Sequence, residues 1–560
     1  MAFLSVLATS ASAPERQPCR EAHGRHQRTE SAALRILLPG LLLLLGLGFL
    51  FHPMARGGGD GVVGDLGDSR LQSYFLEHTF LWLAGRADHR EFWNLPIFYP
   101  RENITAYSDT LLGAAPFYWL WRALSIPVDT AYQLWMLTVA ALDFLAALLL
   151  LRRGLGFGTL AASTGAFLFA FGGARAIHLT HTQLLPQLYS IVAIYALLEV
   201  FRSANSKPRP GLLLVAGLSA VTQLYAGFYL GWFLLFGLAA LAAAALLFAA
   251  SRRDILTVIR RNGAGILFSA AVSLLVLLPL LVHSRRAAAE LPVRRWEHTL
   301  PMVPTVESWL TLGKRSWLYG WLERPEVMKL FRRQHPDVPI GLGYVTLGCV
   351  AVGLWQARDR KWMSAVLVAT AALILVTLRL PGDLTAWRVV WLSLPSASAV
   401  RAVFRIGVFL LLPAALGLAC FLEGVRRRWV AALLAVACIA EQGTTMTTYS
   451  KVTARQRADW IAQRVGPGCR AFFFLANREG AAALPPIYYH VDAMMAQAQR
   501  GVPTVNGYSG QFPPGYGLYE IVVRAPEHWQ IVHASLRDWM VHERLDPAAV
   551  CVVEEPYPFE

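Results

Sequence analysis

Charged residues are scarce in this sequence. Asp, Glu, Lys and Arg make up only 16% of its 560 residues, while 55% are hydrophobic. The mean hydropathy is +0.43. A chain with so little charge cannot give one large soluble core a polar surface, so its apolar residues must face lipid. The composition therefore excludes an ordinary soluble enzyme and indicates a polytopic membrane protein.

Two further features are missing. No glycine-rich phosphate loop stands between a predicted strand and a helix, as a cytoplasmic nucleotide-sugar enzyme would need. The six cysteines show no metal-ligand spacing. Three of them lie in predicted spans, and Cys19 lies in the N-terminal tail. The remaining pair, Cys469 and Cys551, could form a disulfide in an oxidising compartment; two unpaired thiols are the alternative.

Long apolar runs recur between residues 33 and 449, and one membrane crossing needs roughly 20 such residues. About eleven spans are predicted. A segment at 110–125 is either a further span or re-entrant, so the count is 11 to 13. The predicted spans are 33–54, 129–151, 157–176, 183–201, 211–227, 228–250, 263–283, 341–357, 362–379, 405–425 and 429–447.

Positive charge predicts the orientation. Cytoplasmic loops carry the excess of Lys and Arg, and every alternate connection here is basic. The tail 1–32 is therefore predicted to be cytoplasmic, while loops 55–128, 284–340 and 380–404 and the tail 450–560 face outward. The net charge of +15 reflects this topology and a preference for anionic lipid headgroups. Nucleic-acid binding is not expected.

The C-terminal segment 450–560 is more polar than the rest. It has short β-like runs at 471–475 and 550–553 and a helix-like stretch near 528–545. We expect a small extracytoplasmic α/β domain here.

The first outward loop carries an acidic cluster directly after an apolar run. Carboxylates beside a bilayer are costly to desolvate, so such a cluster is a functional-site hypothesis. Asp65 and Asp68 are three residues apart, and one helical turn would place both near a single acceptor hydroxyl or cation. Glu77 and His78 follow, in a segment from Arg70 to Ala84 that is predicted to form an amphipathic interfacial helix. The alternative is a solvated loop whose acids pair with nearby arginines.

Other polar residues of the outward side are candidates for substrate contacts. His178 and His181, with Gln183, could bind a metal, a sugar or a phosphate, or could simply cap the span. Arg401 and Arg405 are four residues apart, so one helical face would present two guanidinium forks to a lipid phosphate. Snorkelling of these arginines to the membrane surface is the alternative.

A second basic group follows the seventh span, at Arg285–Arg286 and Arg294–Arg295, and it is the other candidate clamp for a lipid phosphate. Asp143 lies inside the second span, where a carboxylate usually faces the bundle with a partner. It is interpreted as structural or site-supporting, with no partner assignable from the sequence.

Several of these residues resemble a known family. The acidic motif Gly64–Asp68, then Phe98–Pro100 and Tyr107–Asp109, is similar to the early loop of bacterial integral-membrane glycosyltransferases of the GT-C class, particularly the YfhO-like branch. The likeness continues at His181 with Gln183. Two later motifs share it: Arg401 to Arg405, and Asn506 to Gly510 with Pro513 to Gly515.

The resemblance implies a multi-span enzyme of the bacterial inner membrane. Such an enzyme takes a sugar from a polyprenyl-phosphate carrier and passes it, with inversion, to an extracytoplasmic glycan, glycolipid or protein acceptor. Asp65 matches the residue that serves as general base or, in some branches, as a ligand of a divalent cation such as Mg²⁺ or Mn²⁺. The later outward loops have no further Asp-x-Asp, which departs from the metal-dependent branches.

Asp65 and Asp68 are thus the predicted catalytic residues, with Asp68 or Glu77 tuning the base and arginines stabilising the leaving phosphate. The alternatives are a lipid or polysaccharide transporter or flippase, and a polysaccharide polymerase or ligase. The predicted substrate-binding residues are Arg70, Glu77, His78, Tyr99, Asp109, His178, His181, Gln183, Arg401 and Arg405.

Overall fold

The computed structural model describes residues 31–203, 207–324, 326–327, 338–478 and 484–559. The predicted N-terminal tail with Cys19 lies almost entirely outside these ranges. Within them the chain is mostly helical, with a small α/β region after the last apolar helix. The prediction of a helical polytopic membrane protein with a C-terminal α/β domain is confirmed.

The helices of the described residues are numbered in chain order. They are α1 Ala32–Ala55, α2 Asp68–Leu83, α3 Ala115–Ala123, α4 Val128–Leu149, α5 Thr159–Phe171, α6 Gly173–Ala176, α7 Leu188–Arg202, α8 Pro210–Ala226, α9 Phe228–Leu246, α10 Ala249–Glu290, α11 Trp296–Thr299, α12 Val306–Leu310, α13 Tyr344–Gln356, α14 Met363–Val376, α15 Trp387–Ser393, α16 Ile406–Gly424, α17 Arg428–Ala440, α18 Lys451–Arg464, α19 Pro486–Arg500 and α20 Pro526–His542. The strands are β1 Gly61–Val63, β2 Thr448–Ser450, β3 Ala471–Phe474, β4 Ala476–Asn477, β5 Val522–Val523 and β6 Val550–Val553.

Every predicted span contains a helix. Among the described residues, six helical segments are long and apolar enough to cross a membrane, and they include α1, α4, α7, α9, α10 and α16. Four shorter apolar helices, α8, α13, α14 and α17, fall in other predicted spans. The ambiguous segment 110–125 forms only the short helix α3. Helix α16 lies deep in the bundle against α13 and α5, whereas α10 has few buried residues and packs mainly against α8.

Contacts between connections show which helix ends share a side. The first loop touches the segment after α6, since Ser69 Oγ donates to Thr180 O at 3.1 Å, and it touches the start of α9 through Asp109. At the opposite ends, Lys361 pairs with Asp254 at 2.9 Å. This connection therefore lies at the opposite helix ends from the candidate site residues.

The α/β region is tied to the first loop at several points. Strand β1 pairs antiparallel with β2, so that Gly61 lies opposite Ser450. The parallel pairs β3–β6 and β4–β5 form its small sheets. Helix α20 includes most of the stretch 528–545 that is predicted to be helical. A disulfide joins Cys469 to Cys551. Buried Asp492 of α19 lies between Arg70 of α2, at 2.5 Å, and Arg457 of α18, at 2.7 Å.

Candidate active site

The two acidic residues of the first loop lie at the N-terminus of α2. Asp65 precedes the helix, and its Oδ1 accepts hydrogen bonds from the backbone N–H groups of Gly67 and Ser69, both at 3.1 Å. Ser69 is the second residue of α2, so this carboxylate pairs with an N–H of the first turn of the helix. Asp68 is the first residue of the helix. The two carboxylates therefore do not share one helical face, which corrects the expectation from their spacing, yet Asp68 is close enough to raise the pKa of Asp65.

Asp65 keeps one oxygen available. Both of its hydrogen bonds fall on Oδ1, so Oδ2 has no hydrogen-bond partner among the residues that the structure describes. Burial raises the pKa of Asp65 above its ordinary value, and the neighbouring Asp68 adds to this, against the backbone N–H groups that lower it. A carboxylate with a raised pKa is a stronger base than an ordinary one.

A glycine lets the chain turn into this site. Gly64 has φ +132°, and a Cβ at that position would lie 2.0 Å from Ser69 Oγ. The Ser69 hydroxyl needs that space because it accepts from the Asp65 N–H and donates to Thr180 O, both at 3.1 Å. The acidic loop is thereby fastened to the segment that carries His178 and His181.

Asp68 is held by two partners from distant parts of the chain. Tyr508 of the α/β region donates its O–H to Asp68 Oδ1 at 2.9 Å. His181 Nε2 lies 3.3 Å from Asp68 Oδ2, while its Nδ1 lies 3.0 Å from Thr180 Oγ1. This pattern fits a neutral imidazole that donates from Nε2 and accepts at Nδ1.

The surroundings of His181 also favour its neutral form. Burial, with the guanidinium groups of Arg405 and Arg401, lowers the pKa of His181 to about 3. Burial also raises the pKa of Asp68, partly offset by the Tyr508 hydroxyl and by the same two guanidinium groups. His181 is therefore neutral near pH 7, and the fixed positive charge of the site comes from arginine.

A buried ion pair positions the histidine segment. Arg175, in α6, lies 3.2 Å from Asp143 of α4, which is the partner that the sequence could not name. The same guanidinium donates to the carbonyl oxygens of Leu184 and Leu185, the latter at 2.6 Å, and to Gln187 Oε1. Because Arg175 holds the irregular chain from 184 to 187, it fixes where that segment turns back into the membrane.

The arginine pair lies before α16 rather than on it. Arg405 ends a 3₁₀ turn that precedes the helix, and Arg401 precedes that turn. The expectation of one helical face is therefore wrong. Arg405 is only 8% exposed and stacks on Tyr229 with its guanidinium carbon 4.5 Å from the ring centre. Arg401 is exposed.

Asp109 and His178 complete the cluster. Asp109 Oδ1 accepts from the Phe228 N–H at 2.6 Å. Burial raises the pKa of Asp109, against that N–H, the Arg405 guanidinium, Gln183 and Arg294, which lower it. His178 stacks on Phe404, with 5.3 Å between ring centres. The structure thus brings the acidic loop, the histidine segment and the arginine segment together.

Three residues of this cluster keep a buried polar atom without a hydrogen-bond partner among the described residues. They are His178 Nε2, Gln183 Oε1 and Arg405 Nε. A buried polar group left unpaired is costly, and a polar ligand would satisfy such atoms. Gly227 lets the start of α9 approach Gln183 closely, since a Cβ on Gly227 would lie 2.4 Å from Gln183 O.

Four predicted substrate-binding residues lie elsewhere in structural networks. Glu77 is clamped by Arg122, at 2.8 Å and 2.9 Å, and accepts from Tyr118 at 2.7 Å. His78 Nδ1 lies 2.7 Å from His89 Nδ1. Their helix α2 is mostly buried, so the expectation of an amphipathic interfacial helix is wrong.

The other two residues contact the α/β region. Arg70 pairs with Asp492. The backbone of Tyr99 donates to Thr504 O at 3.0 Å and accepts from Trp539 at 3.0 Å. Neither residue reaches the carboxylates of the site in this arrangement.

Sequence reasoning gave no site role to Tyr508, and it placed Arg294 only in the second basic group. Tyr508 lies in the Asn506–Gly510 motif, which was visible only as a resemblance. Arg294 donates to Ala399 O at 3.1 Å and lies close enough to lower the pKa of Asp109. Tyr488 packs against Gly67, as a Cβ there would lie 3.0 Å from its ring. Its separation of more than 400 residues from the acidic motif hides this contact in the sequence.

The donor set does not fit a metal centre. Among the described residues, no three His, Cys, Asp or Glu side chains come together in a group that could hold a metal ion. The Asp68 oxygens are engaged by Tyr508 and His181. No catalytic step is therefore derived through a divalent cation.

Two solved structures are similar to the chain. The oligosaccharyltransferase of Archaeoglobus fulgidus, in its apo form, is 11% identical; the match covers 85% of this chain and 65% of that one, with a TM-score of 0.44. ArnT from Cupriavidus metallidurans, in its apo state, is 13% identical over 90% of this chain and 94% of that one, with a TM-score of 0.38. The chain thus spans slightly less than two thirds of the oligosaccharyltransferase. No protein-family model and no curated protein matches it.

Proposed function

We propose that the protein is a membrane glycosyltransferase of the GT-C type, which transfers a sugar from a polyprenyl-phosphate donor to an extracytoplasmic acceptor. One observation carries the proposal: carboxylates with raised pKa values lie close to the guanidinium groups of Arg405 and Arg401 at one end of the helix bundle. A base and an anion clamp side by side suit attack of a hydroxyl on a phosphate-linked sugar.

The proposed reaction is a single displacement. Oδ2 of Asp65 accepts the proton of the acceptor hydroxyl while the hydroxyl oxygen forms a bond to the anomeric carbon of the sugar. The bond from that carbon to the phosphate oxygen breaks, and the phosphate leaves with the electron pair. Arg405 and Arg401 stabilise its added negative charge. One displacement inverts the anomeric centre.

The neighbouring groups keep this base and clamp in their working states. Tyr508 and His181 hold Asp68 in place, and Asp68 in turn raises the pKa of Asp65. Neutral His181 adds no positive charge that would draw the donor phosphate away from the arginines. His178 and Gln183 have free polar atoms that suit sugar hydroxyls.

The proposed location is the bacterial inner membrane, with the N-terminus in the cytoplasm and the α/β region outside. The positions of the basic connections support this orientation. Reporter fusions test it: phosphatase activity is expected after residue 460 and fluorescence from a cytoplasmic reporter after residue 155. The reverse pattern would contradict an outward site.

The activity is tested in a deletion strain by mass spectrometry of its glycolipids and envelope glycans. We expect one sugar to be missing from a glycan or lipid, and wild-type protein, but not Asp65→Asn, to restore it. Unchanged glycans with altered distribution of a lipid between leaflets would instead favour a flippase. Added chelator is expected to leave transfer by the purified protein unchanged.

A further inference from the structure

A crevice between α1 and α4 is separate from the candidate active site. Its volume is about 460 Å³, within the roughly 300–1,000 Å³ of small-molecule sites. Helix α1 lines it with Leu47, Phe51 and Met54, and α4 lines it with Leu134 and Leu137. These side chains belong to two predicted spans, so the crevice opens in the membrane region and its walls suit a hydrocarbon chain.

The side chain of Lys451 closes one end of this crevice. The ammonium group of Lys451 donates to Thr130 Oγ1 at 3.0 Å and to Gln133 Oε1 at 2.9 Å. Both acceptors are neutral, and an ammonium group has three donors. Among the described residues, no carboxylate lies within 4.0 Å of this ammonium. Asp60 is near enough for Lys451 to contribute to its lowered pKa, but its Oδ1 is engaged by the Val452 N–H.

The charge lies at a membrane boundary. Helix α1 ends at Ala55 and α4 begins at Val128, so the Lys451 end of the crevice is at the helix termini. An apolar cleft in the membrane with a cation at its mouth complements a lipid whose chain is apolar and whose headgroup is anionic.

We propose that this crevice binds one phospholipid with an anionic headgroup. Its phosphate accepts the third N–H of Lys451, and one acyl chain lies between α1 and α4. The bound lipid would also contact Gln133, which lines the crevice. The Nε2 of Gln133 donates to Gly59 O at 3.1 Å and to Gly61 O at 2.8 Å, just before the acidic loop. This site stands independently of glycosyl transfer, since its ligand is recognised by other residues.

Gly48 offers a way to block the crevice without disturbing its walls. It lines the crevice, and a Cβ on it would meet nothing within 4 Å. Gly40, on the same helix, has equally open surroundings and does not line the crevice. Gly48→Leu and Gly40→Leu therefore add the same side chain to one helix, inside and outside the crevice.

The probe is phosphatidylglycerol with a photoreactive acyl chain, in nanodiscs that hold the full-length protein. We expect labelled peptides from both 47–55 and 130–137, and at least fivefold less labelling with phosphatidylcholine. Gly48→Leu should lose most of the label and Gly40→Leu should keep it. Lys451→Gln should lower labelling by phosphatidylglycerol to the phosphatidylcholine level.

Three results would overturn the proposal. The first is equal labelling of the Gly48→Leu and Gly40→Leu proteins. The second is equal labelling by the two phospholipids in the wild type, which would show that the headgroup charge is not recognised. The third is displacement of phosphatidylglycerol by an equimolar polyprenyl phosphate, which would assign the crevice to a donor lipid. If the Lys451→Gln protein fails to fold, the difference in labelling between Gly48→Leu and Gly40→Leu still tests whether a lipid occupies the crevice.

Discussion

The polar residues around the N-terminus of helix α2 and those further along the helix are in opposite situations. At its N-terminus, Asp65 has an oxygen without a partner, and Asp68 is half-buried beside His181. Two turns later, Glu77 has three hydrogen bonds to Arg122 and Tyr118, and His78 is fully buried against His89. Spare hydrogen-bonding capacity therefore distinguishes Asp65 from the structural groups of the helix.

The difference has a physical cause. A carboxylate that is paired with a clamped guanidinium has little hydrogen-bonding capacity left for a substrate, and its removal would leave a buried charge unpaired. A carboxylate at a helix N-terminus is held by backbone N–H groups along one edge and keeps its other oxygen. The predictions that follow either break this contrast or refine it.

Asp65→Asn should give the largest loss of activity. Asparagine still caps a helix but cannot accept the proton, so transfer should fall on the order of 10²-fold or more. The thermal midpoint of the purified protein should not change. Near-normal transfer by the variant would remove Asp65 from the base role.

Glu77→Ala should give the opposite pattern. It leaves the Arg122 guanidinium and the Tyr118 hydroxyl unpaired in a buried setting, so the free energy of unfolding should fall by about 3 kcal/mol. Transfer per folded molecule should stay near the wild-type value. The unfolding midpoint in denaturant and the activity of the folded fraction measure both effects. A stable variant with no transfer would place Glu77 in the site.

Arg405→Lys tests the phosphate clamp. Lysine keeps the charge but loses the planar fork and the stacking on Tyr229, so a polyprenyl-phosphate analogue should bind about tenfold more weakly, the value of one charge-assisted hydrogen bond. Arg405→Ala should bind more weakly still. Arg427→Lys, on the opposite side of the bundle, is the control.

Unchanged affinity in both Arg405→Lys and Arg401→Lys would rule out this clamp. The proposal for the phosphate would then move to Arg285 and Arg286, which are exposed at the end of α10.

Tyr508→Phe should have the smallest effect, and it should depend on pH. The Tyr508 hydroxyl lowers the pKa of Asp68 against burial, so its loss should raise that pKa further. If ionised Asp68 is required, the acidic limb of kcat/KM moves to higher pH, by up to about one unit for one hydrogen bond.

No limb is expected near pH 6.5, because His181 stays neutral down to about pH 3. Tyr519→Phe, at an exposed ring of the same region, should leave the profile unchanged. A profile that is identical in both variants would mean that Asp68 does not control the rate.

Much of the architecture could be predicted without the structure. Long apolar runs correctly indicate the helices, since hydropathy is a local and additive signal, and the alternating basic loops predict which side each connection faces. The α/β region and its strands at 471–474 and 550–553 are likewise visible as short β-like runs. Spacing arguments succeed less well, as Arg401 and Arg405 lie outside the helix that their i, i+4 separation predicts.

The sequence by itself determined a membrane-spanning helical chain, its charge asymmetry, and a polar cluster at one boundary that contains Asp65, Asp68, His181 and Arg405. Only the tertiary structure decided which polar residues remain available. It paired Asp143 with Arg175, and it engaged the Glu77 carboxylate in hydrogen bonds with Arg122 and Tyr118. It also brought Tyr508 to Asp68 across 440 positions of sequence. Hydropathy and charge are properties of each residue, whereas hydrogen-bond satisfaction depends on which distant partner the packing supplies.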